Sequence, residues 1–109
     1  MAFSHNLKGN TTTNAREELL EAIEGKVKIV CSALVFDGTT ISLKVGHSEA
    51  EYSLFMQRLN FTYDAGYGSQ YLFGMVWLED GSWLSRKEYD GSEWWVLCRV
   101  PEIPVELLN

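Results

Sequence analysis

The chain has 109 residues, 46% hydrophobic and 13% aromatic, with 15 acidic against 9 basic side chains and a net charge of -6. That length excludes two independent cores, and the charge balance argues against direct nucleic-acid binding while suiting a basic protein surface as partner. Cys31 and Cys98 are too few for a disulfide scaffold, and the sequence shows neither a basic-then-apolar leader nor an apolar run of spanning length, so it reads as a cytoplasmic protein with reduced thiols and no membrane contact.

Residues 1–13 are polar and aperiodic, and are expected to form a flexible arm ahead of a single domain over 14–109. Asn14 has the character of an N-cap, with Glu17 as its capping-box partner three residues on. Leu19, Leu20 and Ile23 then form the apolar stripe of a short helix that Gly25 would stop. Lys26 to Phe36 reads as a strand, Asp37-Gly38 as a hairpin turn, and Thr39 to Val45 as the returning strand. In that hairpin Val30, Leu34 and Phe36 share a core face with Ile41, Leu43 and Val45, and Cys31, Ala33 and Val35 share a more polar one with Thr40, Ser42 and Lys44.

Ser48 and Glu51 form a second capping box, opening a helix that carries Tyr52, Phe55, Met56 and Leu59 at spacings of three and four. Phe61 to Tyr63 suggests a short strand, followed by the glycine-rich loop Asp64 to Gln70. A three-stranded meander then runs through Tyr71 to Leu78, Trp83 to Tyr89 and Glu93 to Val100, with turns at Asp80-Gly81 and Asp90-Gly91. Pro101 ends the sheet, and Pro104 begins a last helical turn through Val105, Leu107 and Leu108. The element order α-β-β-α-β-β-β predicts an α+β fold with a mainly antiparallel sheet.

The adjacent Trp94 and Trp95 must point to opposite faces of that sheet. Pairing the meander through its Asp-Gly turns places Leu72, Val76, Leu78, Trp83, Tyr89, Trp94, Val96 and Cys98 on one face, expected to be the main core. Tyr71, Phe73, Met75, Trp77, Leu84, Trp95 and Leu97 fall on the other, among Arg86, Glu88, Glu93 and Arg99. A four-residue loop at Asp90 is preferred, because it keeps Glu88 from lying opposite Glu93. The Trp95 face, aromatic and edged with charge, has an interface-like composition, and Arg86 is positioned to stack on Trp95 or Trp77. The expected partner contacts are therefore Trp77, Trp95, Arg86 and Glu88, joined by Tyr67 from the glycine-rich loop. Alternatively a helix, or the segment Pro101 to Leu108, covers this face as a second core layer, or a second copy covers it as a homodimer.

Signals for chemistry are sparse. His5 lies in the arm, and His47 sits in a polar loop before a helix, with no nucleophile and orienting group spaced as a catalytic set. No cysteine or histidine spacing suggests a metal site, and Asp37, Asp80 and Asp90 are accounted for by their turns. The loop Gly66-Tyr67-Gly68 precedes a strand, whereas a phosphate-cradling loop follows one and opens a helix. No catalytic residue, metal or cofactor is expected. A rival reading is a small enzyme or ligand binder with a pocket near His47 and the Gly66–Gly68 loop.

The run W-L-E-D-G-S-W-L-S-R-K-E-Y-D-G-S-E-W-W from Trp77 to Trp95, followed by P-E-I-P-V-E-L, resembles a recurring type of small acidic protein encoded by bacteriophages and prophages. A-R-E-E-L-L-E-A-I and Y-D-A-G-Y-G are similar in style, so the likeness spans most of Asn14 to Leu107. The resemblance implies no catalytic residues. What it implies is a non-enzymatic inhibitor of a host defence protein, such as a CRISPR effector, acting in the bacterial cytoplasm by steric or charge-mimicking occlusion.

Overall fold

A computed structural model describes residues 12–24, 27–66 and 68–108. Nine regular elements precede a terminal 3-10 turn: β1 (Thr12–Asn14), α1 (Ala15–Ile23), β2 (Ile29–Phe36), β3 (Thr39–Leu43), α2 (Glu49–Arg58), β4 (Thr62–Asp64), β5 (Leu72–Leu78), β6 (Trp83–Tyr89), β7 (Ser92–Cys98) and the turn Val105–Leu107. β3, β2, β5, β6 and β7 lie side by side in one antiparallel five-stranded sheet, and β1 pairs with β4 in a separate two-stranded ribbon. The α+β class is as the sequence predicts, and the predicted order α-β-β-α-β-β-β is present with two short strands, β1 and β4, added to it. Thr12 and Thr13, expected as the end of the arm, instead pair with Asp64 and Tyr63. No helix among the described residues is long and apolar enough to cross a membrane.

Both helices start where the sequence places them. The Asn14 side chain accepts a hydrogen bond from the Glu17 backbone N–H at 3.0 Å. Ser48 and Glu51 bond reciprocally, at 3.1 and 2.8 Å, in a complete capping box. α1 ends on Glu24, whose φ of 53° is left-handed; Gly25 and Lys26, expected as helix stop and strand start, lie outside the described residues.

The helices and the ribbon all lie on one face of the large sheet. Leu19 and Ile23 of α1, Phe55 and Met56 of α2, the adjoining Leu59 and Tyr63 of β4 share a core with Leu34, Ile41, Leu43, Leu72, Val76, Leu78 and Leu84. Burial of these apolar side chains, at about 25 cal/mol per Å² removed from water, is the main force holding the layers together. Two residues expected in this core are not in it. A bulge between Ile29 and Cys31 puts Ile29 there and leaves Val30 half-buried. Val45 lies past the end of β3 and is exposed. Phe36 is half-buried and stacks at 4.2 Å on Phe61.

The three Asp-Gly turns are not equivalent. At Asp37-Gly38 and Asp90-Gly91 both residues have positive φ, and Phe36 pairs with Thr39, Tyr89 with Ser92. These are two-residue hairpin loops of the type favoured by strand twist. At Asp80 the Gly81 N–H bonds the Leu78 carbonyl, the Leu78 N–H bonds the Ser82 carbonyl, and Gly81 has a φ of 90°. That is a three-residue loop ending in a glycine bulge. Trp77 therefore pairs with Trp83, and Val76 with Leu84. The extra residue shifts the register by one and turns every side chain of β6 and β7 to the opposite face from the one expected.

The expected faces are corrected accordingly. Leu72, Val76 and Leu78 are core, but they are joined by Leu84, Arg86, Glu93 and Trp95. Trp83, Trp94, Val96 and Cys98 are on the other face. The four-residue loop preferred at Asp90 is also replaced by a two-residue one, which sets Glu88 directly opposite Glu93. The like-charge cost of that pairing is offset because Glu93 has its own cation. Arg86 bonds it at 2.6 Å.

Candidate functional site

The residues expected to contact a partner are divided by this register. Arg86 and Trp95 are opposite one another, with the guanidinium 4.8 Å from the indole centroid. Of the two stacks expected from sequence, on Trp95 or on Trp77, the structure has the first, but it lies beneath α1 and β4 and not on an outer surface. Arg86 reaches Glu18 of α1 through Nη1 at 3.1 Å. Its Nη2 donates to the Tyr63 hydroxyl at 2.8 Å and to Glu93. Tyr63 in turn donates to the other oxygen of Glu18 at 2.5 Å. Glu93 also accepts the backbone N–H groups of Tyr71 and Leu72 at 2.6 and 3.0 Å.

This closed network joins α1, β4, β6, β7 and the start of β5. The side chains of Arg86 and Glu93 are 1% and 0% exposed. Burial disfavours the guanidinium charge, yet Glu18 and the hydrogen bond to Glu93 outweigh it and hold the Arg86 pKa above its ordinary value. Burial first, and then the negative charge of Glu18, push the Tyr63 phenol far above its usual pKa. A buried pair of this kind specifies one arrangement of elements more than it adds net stability. We read Arg86, Glu18, Glu93 and Tyr63 as the polar tie between the two layers. Sequence reasoning placed Arg86 and Glu93 on one face but missed Glu18 and Tyr63, because only the packed fold sets a helix and a ribbon against β6.

Glu88 is exposed beside the Asp90 turn, where its carboxylate accepts the Gly91 N–H at 3.0 Å. Tyr67 lies outside the described residues. His47 has Nδ1 2.8 Å from the Lys44 carbonyl and its ring stacked at 6.0 Å on Tyr52. A cleft of about 160 Å³ is formed by Ala22, Val27, Asp80, Leu97 and Arg99 among others, and His47 does not line it. No group of three or more His, Cys, Asp or Glu among the described residues is arranged to hold a metal ion.

Among the described residues expected as contacts, Trp77 alone is on the open face of the sheet. There the pairings align side chains in cross-strand rows. One row runs Cys31, Trp77, Trp83, Cys98; the next runs Ser42, Ala33, Met75, Ser85, Val96. A third holds Val35 beside Phe73, and Lys87 beside Trp94. None of these side chains is buried: Phe73 is 47% exposed, Trp94 42%, Trp77 39%. Both helices and the ribbon pack on the opposite side, so none of them covers this one. Lys87 is the only charged side chain that the five strands direct to it.

A contiguous aromatic panel of this extent is uncommon on a protein that functions alone. Its central residues match the enrichment of Trp, Phe, Tyr and Met at the cores of protein interfaces. Compared with known protein families, with curated proteins and with solved structures, the chain finds no match. The sheet face itself therefore carries the functional reading.

Proposed function

We propose that this is a non-enzymatic protein-binding protein, and that it works through the open face of its five-stranded sheet. The observation that carries the reading is the pairing of one covered face with one bare face on which Phe73, Trp77, Trp83 and Trp94 lie together. Covering those rings with another chain removes apolar area from water, and buried aromatic anchors supply most of the affinity of typical interfaces. In the phage setting that the sequence pattern resembles, the bound chain is a host defence protein whose working surface is blocked by occlusion. Charge mimicry is less well supported. Most exposed carboxylates lie on the two helices, in the turns and after β7, and Glu18 and Glu93 are paired with Arg86, while the aromatic panel carries one cation and no anion.

The test compares wild type with the double variant F73S/W94S as immobilised baits in lysate of a bacterial host. Both positions are half-exposed, so the variant should keep its fold by circular dichroism. A host protein retained by wild type and lost by the variant supports the reading; equal retention refutes it. A second reading, a homo-oligomer, is favoured by the lack of anions on the panel. Two copies of a chain carrying a net charge of -6 can meet there without setting carboxylates against one another.

A further inference from the structure

A second apolar surface of this chain also lacks cover. After β7, Val100, Ile103, Val105, Leu107 and Leu108 are each more than half exposed, and no described residue from 99 to 108 is buried. An apolar strip and an apolar panel on one chain, neither covered by that chain, are complementary to each other. We infer that residues 99–108 of one copy dock on the open sheet face of a second copy, reciprocally, so that the protein is an arm-exchanged dimer. The inference rests on the reading that the open face binds polypeptide, and it names the first occupant.

Three features of the segment fit it to the panel. Pro101 and Pro104 stand in P-x-x-P spacing, and Pro104 has φ of -59° and ψ of 144°, the polyproline II conformation. Segments of that kind dock on aromatic-lined grooves because proline presets the backbone and leaves little entropy to lose. The charges also match: Lys87 is the only charged side chain that the five strands direct to the panel, and the segment carries Glu102 and Glu106, with Arg99 at its root beside β7.

Dimensions agree as well. Four residues in extended polyproline and four in a 3-10 turn span about 20 Å, against about 24 Å for the width of five strands. Five strands of about seven residues present roughly 550 Å². A docked segment about 20 Å long and about 10 Å wide covers about 200 Å² of that face, so two exchanged segments bury about 800 Å² counting both sides, the size of a weak, concentration-dependent interface. In the single chain the apolar side chains of the segment remain more than half exposed. Each copy offers one panel and one segment, so a two-fold exchange uses both and closes.

The experiment is sedimentation equilibrium of the full chain over a concentration series, with acrylamide quenching of tryptophan fluorescence on the same samples. Wild type is expected to dimerise in the micromolar range, with quenching that falls as dimer forms. The segment variant I103D/V105D and the panel variant F73S/W94S should each be monomeric. K87E should weaken the dimer by about tenfold or more, and E102K/E106K should restore it in the K87E background. A dimer indifferent to I103D/V105D overturns the exchange and leaves a panel-on-panel contact. A monomer with freely quenched tryptophans overturns the exchange but not the protein-binding reading. A monomer whose quenching rises in I103D/V105D, showing the panel roofed by its own segment, overturns both.

Discussion

Replacing Glu93 tests whether the buried tie between the layers holds the fold as the geometry indicates. Glu93→Ala leaves the Arg86 guanidinium with only Glu18 and the Tyr63 hydroxyl, in a site where its side chain is 1% exposed. Breaking a buried ion pair by removing one partner costs about 3–5 kcal/mol. The Leu72 N–H, also buried, loses its acceptor, which adds about 1–3 kcal/mol. The Tyr71 N–H is nearer the surface and can turn to water. A total of roughly 4–8 kcal/mol is comparable to the whole stability of a domain this size, about 5–15 kcal/mol. Glu93→Gln keeps the shape and one acceptor oxygen but removes the charge, and sets an amide donor against a backbone donor. Its expected cost is about 2 kcal/mol. In urea that loss moves the midpoint by about 1 M, for a slope near 2 kcal/mol/M. Glu93→Ala should be unfolded or nearly so without denaturant. A folded Glu93→Ala that loses less than about 1 kcal/mol would refute the account of this cluster.

Three further outcomes follow from other sites. Gly74 has φ of 132°, and a Cβ there would lie 2.2 Å from the Ala33 carbonyl oxygen and 2.8 Å from Leu34, so Gly74→Ala should cost about 2–5 kcal/mol by urea unfolding. Stability should decline as pH rises past the ordinary tyrosine pKa of 10.0, because Tyr63 titrates in the unfolded chain there but stays protonated in the folded one. The decline should be shallower in Tyr63→Phe, compared by urea midpoints between neutral and alkaline pH. Ser48→Ala removes the acceptor for the Glu51 N–H and should cost about 1 kcal/mol. The same capping box lowers the Glu51 pKa, chiefly through the Ser48 backbone N–H, so its contribution is present above pH 4.5 and fades as pH falls below that value. Ser48→Ala keeps that backbone N–H, so both proteins should lose the Glu51 contribution in mild acid and their urea midpoints should stay separated.

Much of the architecture is local and was therefore legible. Ser48 with Glu51, and Asn14 with Glu17, are caps made by residues three apart, and the structure contains both. Alternation of apolar side chains located the strands, with β6 matching at both ends. Phe73, Met75 and Trp77 were rightly grouped on one face, against Leu72, Val76 and Leu78. The Arg86–Trp95 stack also follows from spacing within one hairpin.

What the sequence by itself determined is which side chains share a face within each strand, and hence that Trp94 and Trp95 diverge. Which of the two faces the core depended on one loop. Asp80-Gly81 and Asp90-Gly91 are the same dipeptide, yet one belongs to a three-residue loop and the other to a two-residue one. The Asp80 loop is selected by contacts far away in the chain. With the extra residue, Leu84 is buried opposite Val76, and Arg86 reaches Glu18 sixty-eight residues earlier. Because side chains alternate with a period of two, that single added residue exchanges the two faces of everything after it. Burial of Leu84 and the charge pairing of Arg86 are tertiary energies, and they decided which tryptophan was left outside.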